Sequence, residues 1–154
     1  MKGNEKLIAA MNSLLAEELT AINQYMVHTE MLENWEYSKL KEQFRKRAIV
    51  EMKHAESLIE RIIFLDGQPI VSELRKITIG QDVPKMVAND LGLEYAAVKQ
   101  YNDAIKLAVE VGDNATKELL EGILKDEDGH VDELEMLGDQ ISQMGLQMFL
   151  STKT

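Results

Sequence analysis

Glu18, Glu51 and His54 recur as Glu94, Glu127 and His130 at one constant offset, 94 − 18 = 127 − 51 = 130 − 54 = 76 residues. In each set a glutamate is followed 33 residues later by Glu-x-x-His, a spacing that presents a carboxylate and an imidazole from one helical face. The repeat extends past these residues: Leu15, Ala21, Gln24, Tyr25 and Leu58 find Leu91, Ala97, Gln100, Tyr101 and Leu134 at the same offset. Two related helical hairpins produce such a pattern. One Glu-x-x-His is commonplace on an acidic helix, but two copies in register, each with an upstream glutamate, predict a site for two metal ions.

Apolar residues recur at helical spacing in four segments. One stripe takes Ile8, Met11, Leu15, Glu18, Ile22, Tyr25 and Leu32, and a second takes Leu40, Phe44, Arg47, Glu51, His54, Leu58, Ile62 and Leu65. The third is Val87, Leu91, Glu94, Val98, Tyr101, Ile105 and Ala108, and the fourth is Leu120, Ile123, Glu127, His130, Leu134, Leu137 and Ile141. Every ligand-type residue thus lies on a stripe that should face a core. An ionised carboxylate buried there without compensation is too costly to keep. Metal cations would compensate it. Core salt bridges are the alternative, with Arg47 as the interior cation against four glutamates.

Short turns at Asn34–Ser38 and Val111–Asn114 suit antiparallel hairpins and bring each Glu-x-x-His back to the level of its upstream glutamate. Between the hairpins, residues Asp66–Asp82 contain Gly67, Pro69 and Gly80 and carry no helical stripe. Stretched out, such a segment reaches roughly 56 Å, enough to run beside a helix of about 45 Å. Asp82 followed by Pro84 restarts a helix, as a capping residue and an early proline should. After Gly145 the tail LQMFLSTKT predicts a further turn or two of helix, expected to dock on a neighbouring subunit. The expected fold is all-α: a single domain over 1–154, a four-helix bundle with a long crossover between helices two and three and a short C-terminal fifth helix.

Composition narrows the function classes. The 154 residues include no cysteine, which excludes disulfides, zinc–thiolate and iron–sulfur sites. The net charge of −10 comes from 27 acidic against 17 scattered basic residues, so cations are favoured partners and nucleic acid is not. No run of apolar residues is long enough for a membrane span, and the opening residues lack the apolar stretch of a signal peptide. A soluble, cytoplasmic protein is expected.

In a helical bundle, one Glu from each of two helices and a Glu-x-x-His from each of the other two can hold a pair of iron or manganese ions. Glu51 and Glu127 would bridge, Glu18 and Glu94 would each bind one ion terminally, and His54 and His130 would each complete one shell. Oxygen-rich ligation with one imidazole per ion suits iron or manganese better than copper. Tyr25 and Tyr101, seven residues beyond Glu18 and Glu94, either hydrogen-bond ligand carboxylates or donate an electron, or simply fill the core.

Over essentially its whole length, from MKGNEKLIAAMNSLLAEELTAINQY through EMKHAE and RIIFLDGQP to LKDEDGH and MGLQMFLS, the chain resembles the bacterioferritin family. The resemblance implies a single ferritin-like domain, a bundle of four long helices and a short fifth, assembled as a hollow shell of 24 identical subunits. Fe(II) would be oxidised with O2 or H2O2 at an intrasubunit di-iron centre of Glu18, Glu51, His54, Glu94, Glu127 and His130, with Tyr25 as a catalytic accessory, and the ferric product stored as mineral. It also implies that Met52, which alone would read as core or interface filler, is the axial ligand of a haem b shared between two subunits. Met52 would lie with Leu19, Asn23, Met26 and Ile49, and a small ferredoxin would be the electron donor for iron release. Lys46 and Val50 stand where some relatives carry a His and an Asp for an extra iron, and Arg45 stands near the haem edge in place of an aromatic. Asn34, Asp66, Asp132 and Asp139 match positions lining a pore between subunits. His28, without a twin in the repeat, reads as peripheral. A di-manganese catalase-like enzyme and a haem-binding structural protein with an inert metal pair would share this bundle and these ligands.

Overall fold

Local capping chemistry starts three of the four long helices in the computed structural model, which covers residues 1–154. Helix α1 (Glu5–Asn34) begins where the Asn4 side chain accepts from the Leu7 N–H, α3 (Val83–Glu110) where Asp82 accepts from Lys85, and α4 (Asn114–Met144) where Asp113 accepts from Thr116. Each cap satisfies one of the backbone donors that a helix leaves free in its first turn. Helix α2 (Ser38–Phe64) has no side-chain cap. Its ion pair Arg61–Asp113, 3.1 Å, ties its far end to the start of α4 instead.

Within each hairpin the two helices run antiparallel, and Tyr25–Glu94 and Tyr101–Glu18 contacts show α3 antiparallel to α1, so that α2 and α3, joined by the crossover, run parallel. The result is the expected ferritin-like bundle: two hairpins, α1/α2 and α3/α4, packed face to face. Two apolar clusters fill its ends. One includes Leu7, Met11, Leu58, Ile62, Ala108 and Leu120; the other includes Leu32, Leu40, Phe44, Val87, Leu134 and Phe149. The layer between them holds the four glutamates and two histidines singled out above.

Residues 65–82 form the expected helix-free crossover, and they run parallel to α1. Polar side chains of α1 receive its backbone: Asn12 Oδ1 accepts from Ile70 N (2.8 Å), Thr20 Oγ1 from Arg75 N (2.8 Å), Gln24 Oε1 from Thr78 N (2.9 Å) and His28 Nε2 from Gly80 N (2.9 Å). Extended chain off a sheet must pair its donors somewhere, and a polar row on one helix serves that need.

One expectation is corrected here. His28 is not peripheral; it is fully buried, with Nδ1 2.9 Å from Asp90 Oδ1 and Nε2 occupied by Gly80. The tail forms the expected short helix, α5 (Leu146–Ser151), and its Phe149 packs on its own chain. Gly145, at φ 81°, turns the backbone so that Phe149 is buried in the end cluster, and Lys39 N donates to Lys153 O at 2.9 Å. A left-handed φ suits glycine there, because it has no Cβ to clash.

Candidate metal centre

Glu18 on α1, Glu51 and His54 on α2, Glu94 on α3, and Glu127 and His130 on α4 converge in the mid-layer, each no more than 8% exposed. They form two overlapping groups: Glu18, Glu51, His54 and Glu127, and Glu51, Glu94, Glu127 and His130. Within each group one ligand atom per residue lies within 4.8 Å of all the others. Glu51 and Glu127 belong to both groups. Glu18 and Glu94 belong to one each.

The sequence repeat becomes a local pseudo-twofold. His54 Nδ1 lies 2.8 Å from Glu127 Oε1, and His130 Nδ1 lies 2.8 Å from Glu51 Oε1. The same two nitrogens come within 3.6 Å of Glu18 and 3.4 Å of Glu94. Tyr25 Oη donates to Glu94 Oε1, and Tyr101 Oη donates to Glu18 Oε1 at 2.6 Å. Each contact maps onto its twin by the 76-residue shift, so the tyrosine of one hairpin anchors the glutamate of the other.

Glu18 Oε2 and Glu94 Oε2 are buried without a hydrogen bond, and Glu51 Oε1, Glu127 Oε1 and both histidine Nδ1 atoms meet one another only as ion pairs without hydrogen-bond geometry. An unsatisfied buried polar group costs about 1–3 kcal/mol, so six in one layer call for another partner. Divalent cations supply one. Each tyrosine holds one oxygen of a terminal carboxylate and leaves the other oxygen free, and four carboxylates match the charge of two divalent ions. The donor set therefore fits a metal pair of the iron or manganese type. Core salt bridges do not explain it. Arg47 is buried, but its Nη2 pairs with Asp90 at 3.2 Å and its guanidinium lies over Phe44 and Tyr25.

Without metal, protons contain the charge. Burial, reinforced by the neighbouring Glu51 charge, raises the Glu18 carboxyl well above the usual range, and burial with the charge of Glu18 does the same to Glu127. Burial works against ionised Glu51 too, but its close contacts with Glu18, His130 and His54 outweigh it and hold Glu51 well below the usual range. For His54 burial opposes the charged ring, yet Glu18 and Glu51 push it up to about 11; His130, opposed by burial and held by Glu51 and Glu94, is pushed up to about 9. Both imidazoles are charged at neutral pH, and a metal must displace their protons to reach Nδ1. We predict that anaerobic Co(II) loading at pH 7.5 releases at least about one proton per bound ion, and that affinity weakens as pH falls. A pH-stat titration checks this. Loading without proton release would contradict it.

Met52 is turned away from this layer. It is 47% exposed on α2 and lines a groove of about 280 Å³ with Ile22, Met26, Thr29, Glu30, Arg45, Ala48 and Ile49. Met26 and Ile49 are there as expected, whereas Leu19 and Asn23 are not part of the lining. Asn34, Asp66, Asp132 and Asp139 are all exposed.

Two functional neighbours escaped the sequence reading. Asp90 is fully buried and receives Gln24 Nε2 at 2.8 Å and Arg47 Nη2 at 3.2 Å, linking the crossover's anchors to the side of the metal layer. Asp126 meets His54 Nε2 at 2.8 Å. The row Asn12, Thr20, Gln24, His28, spaced by eight, four and four residues on α1, was the available signal for the first; Asp126 had none, because a half-exposed acid on an acidic helix is unremarkable.

The Ferritin-like domain family matches residues 8–144. The chain is similar to proteins named bacterioferritin: 40% identical over 149 residues to that of Rhodobacter capsulatus, covering 97% of this chain and 92% of the relative. It is 38% identical to that of Brucella melitensis, again over 97% and 92%, and 36% identical to that of Mycolicibacterium paratuberculosis, over 97% and 94%.

Proposed function

This chain belongs to the bacterioferritins of the ferritin-like family, and from that premise we propose that it is a ferroxidase that stores the iron it oxidises. Fe(II) is the substrate and O2 or H2O2 the oxidant. A filled metal pair supplies one electron from each iron, so that O2 with two protons becomes H2O2, or H2O2 with two protons becomes two waters. Glu51 and Glu127 bridge the two positions. Glu18 and Glu94 bind terminally through the oxygens that Tyr101 and Tyr25 leave free, and those tyrosine hydrogen bonds hold the carboxylates in place as iron arrives. His54 and His130 give up their protons and ligate through Nδ1. The sharing of Glu51 and Glu127 between two otherwise separate ligand groups carries this reading.

We further assign a homo-oligomeric shell of 24 subunits holding ferric mineral, and a haem b between pairs of subunits. The exposed thioether of Met52 in an apolar groove fits a soft axial ligand, contributed once by each of two copies. Bound there, haem b would supply one-electron redox chemistry for iron release, with a small ferredoxin as the proposed electron donor. No helix is long and apolar enough to cross a membrane, which accords with a cytoplasmic store.

One preparation tests the whole reading. We expect a large hollow particle with a bis-methionine haem spectrum that Met52→Leu removes, and a fast aerobic phase consuming about two Fe(II) per chain. A small, colourless oligomer without oxygen-dependent Fe(III) absorbance would overturn it. Peroxide disproportionation without iron uptake would select a di-manganese catalase-like enzyme instead.

A further inference from the structure

The centre obeys the 76-residue repeat in its six ligand-type residues and in both tyrosines, and departs from it behind His54. His54 Nε2 makes a 2.8 Å hydrogen bond with Asp126 Oδ2. Asp126 lies on α4 beside Glu127 and is half in solvent, its side chain 54% exposed. Its twin position is 126 − 76 = 50, and Val50 stands there with no polar atom to offer. Correspondingly, no carboxylate lies within 4.0 Å of His130 Nε2; all three acidic contacts of His130 are made by Nδ1.

Resting on the di-metal reading above, we propose that Asp126 is a positioning residue for His54, and that the missing carboxylate at Val50 makes the two metal positions unequal, the His54 side binding divalent metal more tightly. Nδ1 is the nitrogen that faces Glu18, Glu51 and Glu127. A carboxylate accepting from Nε2–H fixes the tautomer that leaves Nδ1 free for metal, restrains the ring, and makes the imidazole a stronger donor. Partners of this kind are typically worth 10–100-fold in metal affinity. His130 has the same Nδ1 environment without that support, so its position is the weaker one. The exposure of Asp126 lets solvent and salt screen its charge, which puts the expected difference near the lower end of that range.

Anaerobic Co(II) titration of the metal-free protein, followed by visible absorption, tests this without reference to turnover. The intact chain is expected to fill two positions per chain in two steps separated by about 10-fold or more. Asp126→Ala is expected to weaken the tight step by about 10-fold and to alter its Co(II) spectrum, merging the steps while the weak one holds. Asp126→Asn, whose amide oxygen still accepts from Nε2–H without the charge, is expected to fall between the two and serves as the conservative rescue. Two equal steps in the intact chain, or an Asp126→Ala titration and spectrum identical to those of the intact chain, would overturn the proposal and leave the di-metal reading standing. Failure of the intact chain to take up two Co(II), or full uptake by Glu127→Ala, would overturn the di-metal reading and this inference with it.

Discussion

Glu127→Ala is expected to abolish the fast phase of aerobic Fe(II) oxidation, slowing it at least about 100-fold, beyond the 10–100-fold that follows loss of an outer-shell partner. Glu127 is common to both ligand groups, so its removal takes a donor from each position, whereas Glu18→Ala takes one from a single position. The metal-free chain makes little use of this carboxyl. Burial and the charge of Glu18 already drive it toward the neutral form, and its Oε1 meets His54 Nδ1 at 2.8 Å without hydrogen-bond geometry. Glu127→Gln, which keeps the volume, should therefore leave metal-free stability unchanged or higher, as expected where a site is maintained for function at a cost to the fold. Stopped-flow absorbance of Fe(III) formation and thermal unfolding of the metal-free protein measure the two effects. A variant oxidising Fe(II) within 10-fold of the parent rate would sink the assignment of Glu127 as a bridge.

Asp90→Ala should have the largest effect on stability, about 3–5 kcal/mol, the range for removing one partner of a buried ion pair. The carboxylate is fully buried, pairs with Arg47, accepts from Gln24 and faces His28 Nδ1. Arg47 Nε and Nη1 already lack hydrogen bonds, so losing Asp90 would strand a buried guanidinium with only the rings of Phe44 and Tyr25 beside it. Gln24 and His28 also hold Thr78 and Gly80 of the crossover, so the loss should loosen that segment first. At about 2–4 °C per kcal/mol for a chain of this size, the melting temperature should fall by at least roughly 6 °C. Hydrogen exchange at the Thr78 and Gly80 amides should quicken. A melting temperature within about 2 °C of the parent would mean that Arg47 finds another partner.

The six candidate ligands were legible because metal ligation needs particular residue types at particular helical spacings, and a duplicated hairpin writes them twice. Turn lengths and the stripes then fixed the antiparallel hairpins, and the absence of a stripe over 66–82 marked the crossover. His28 was misread because the repeat offered it no twin; its partners, Asp90 and Gly80, lie 62 and 52 residues away and meet it only after the crossover folds back along α1. An apolar stripe announces that it will be covered, but not by which surface, and the end cluster that receives Phe149 of α5 is assembled from all four long helices.

Sequence by itself determined the all-α bundle, the identity of the mid-layer carboxylates and imidazoles, and their twofold pattern, since periodicity and spacing are properties of a helix read along one chain. Only the tertiary structure decided which glutamates are shared, that each tyrosine serves the opposite hairpin, that Arg47 pairs with Asp90 and leaves the ligands alone, and that Asp126 supports one histidine where Val50 cannot support the other. Those are relations between helices, set by how four cylinders pack side by side, and repeat symmetry in the chain constrains them only as far as the residues behind the site repeat as well.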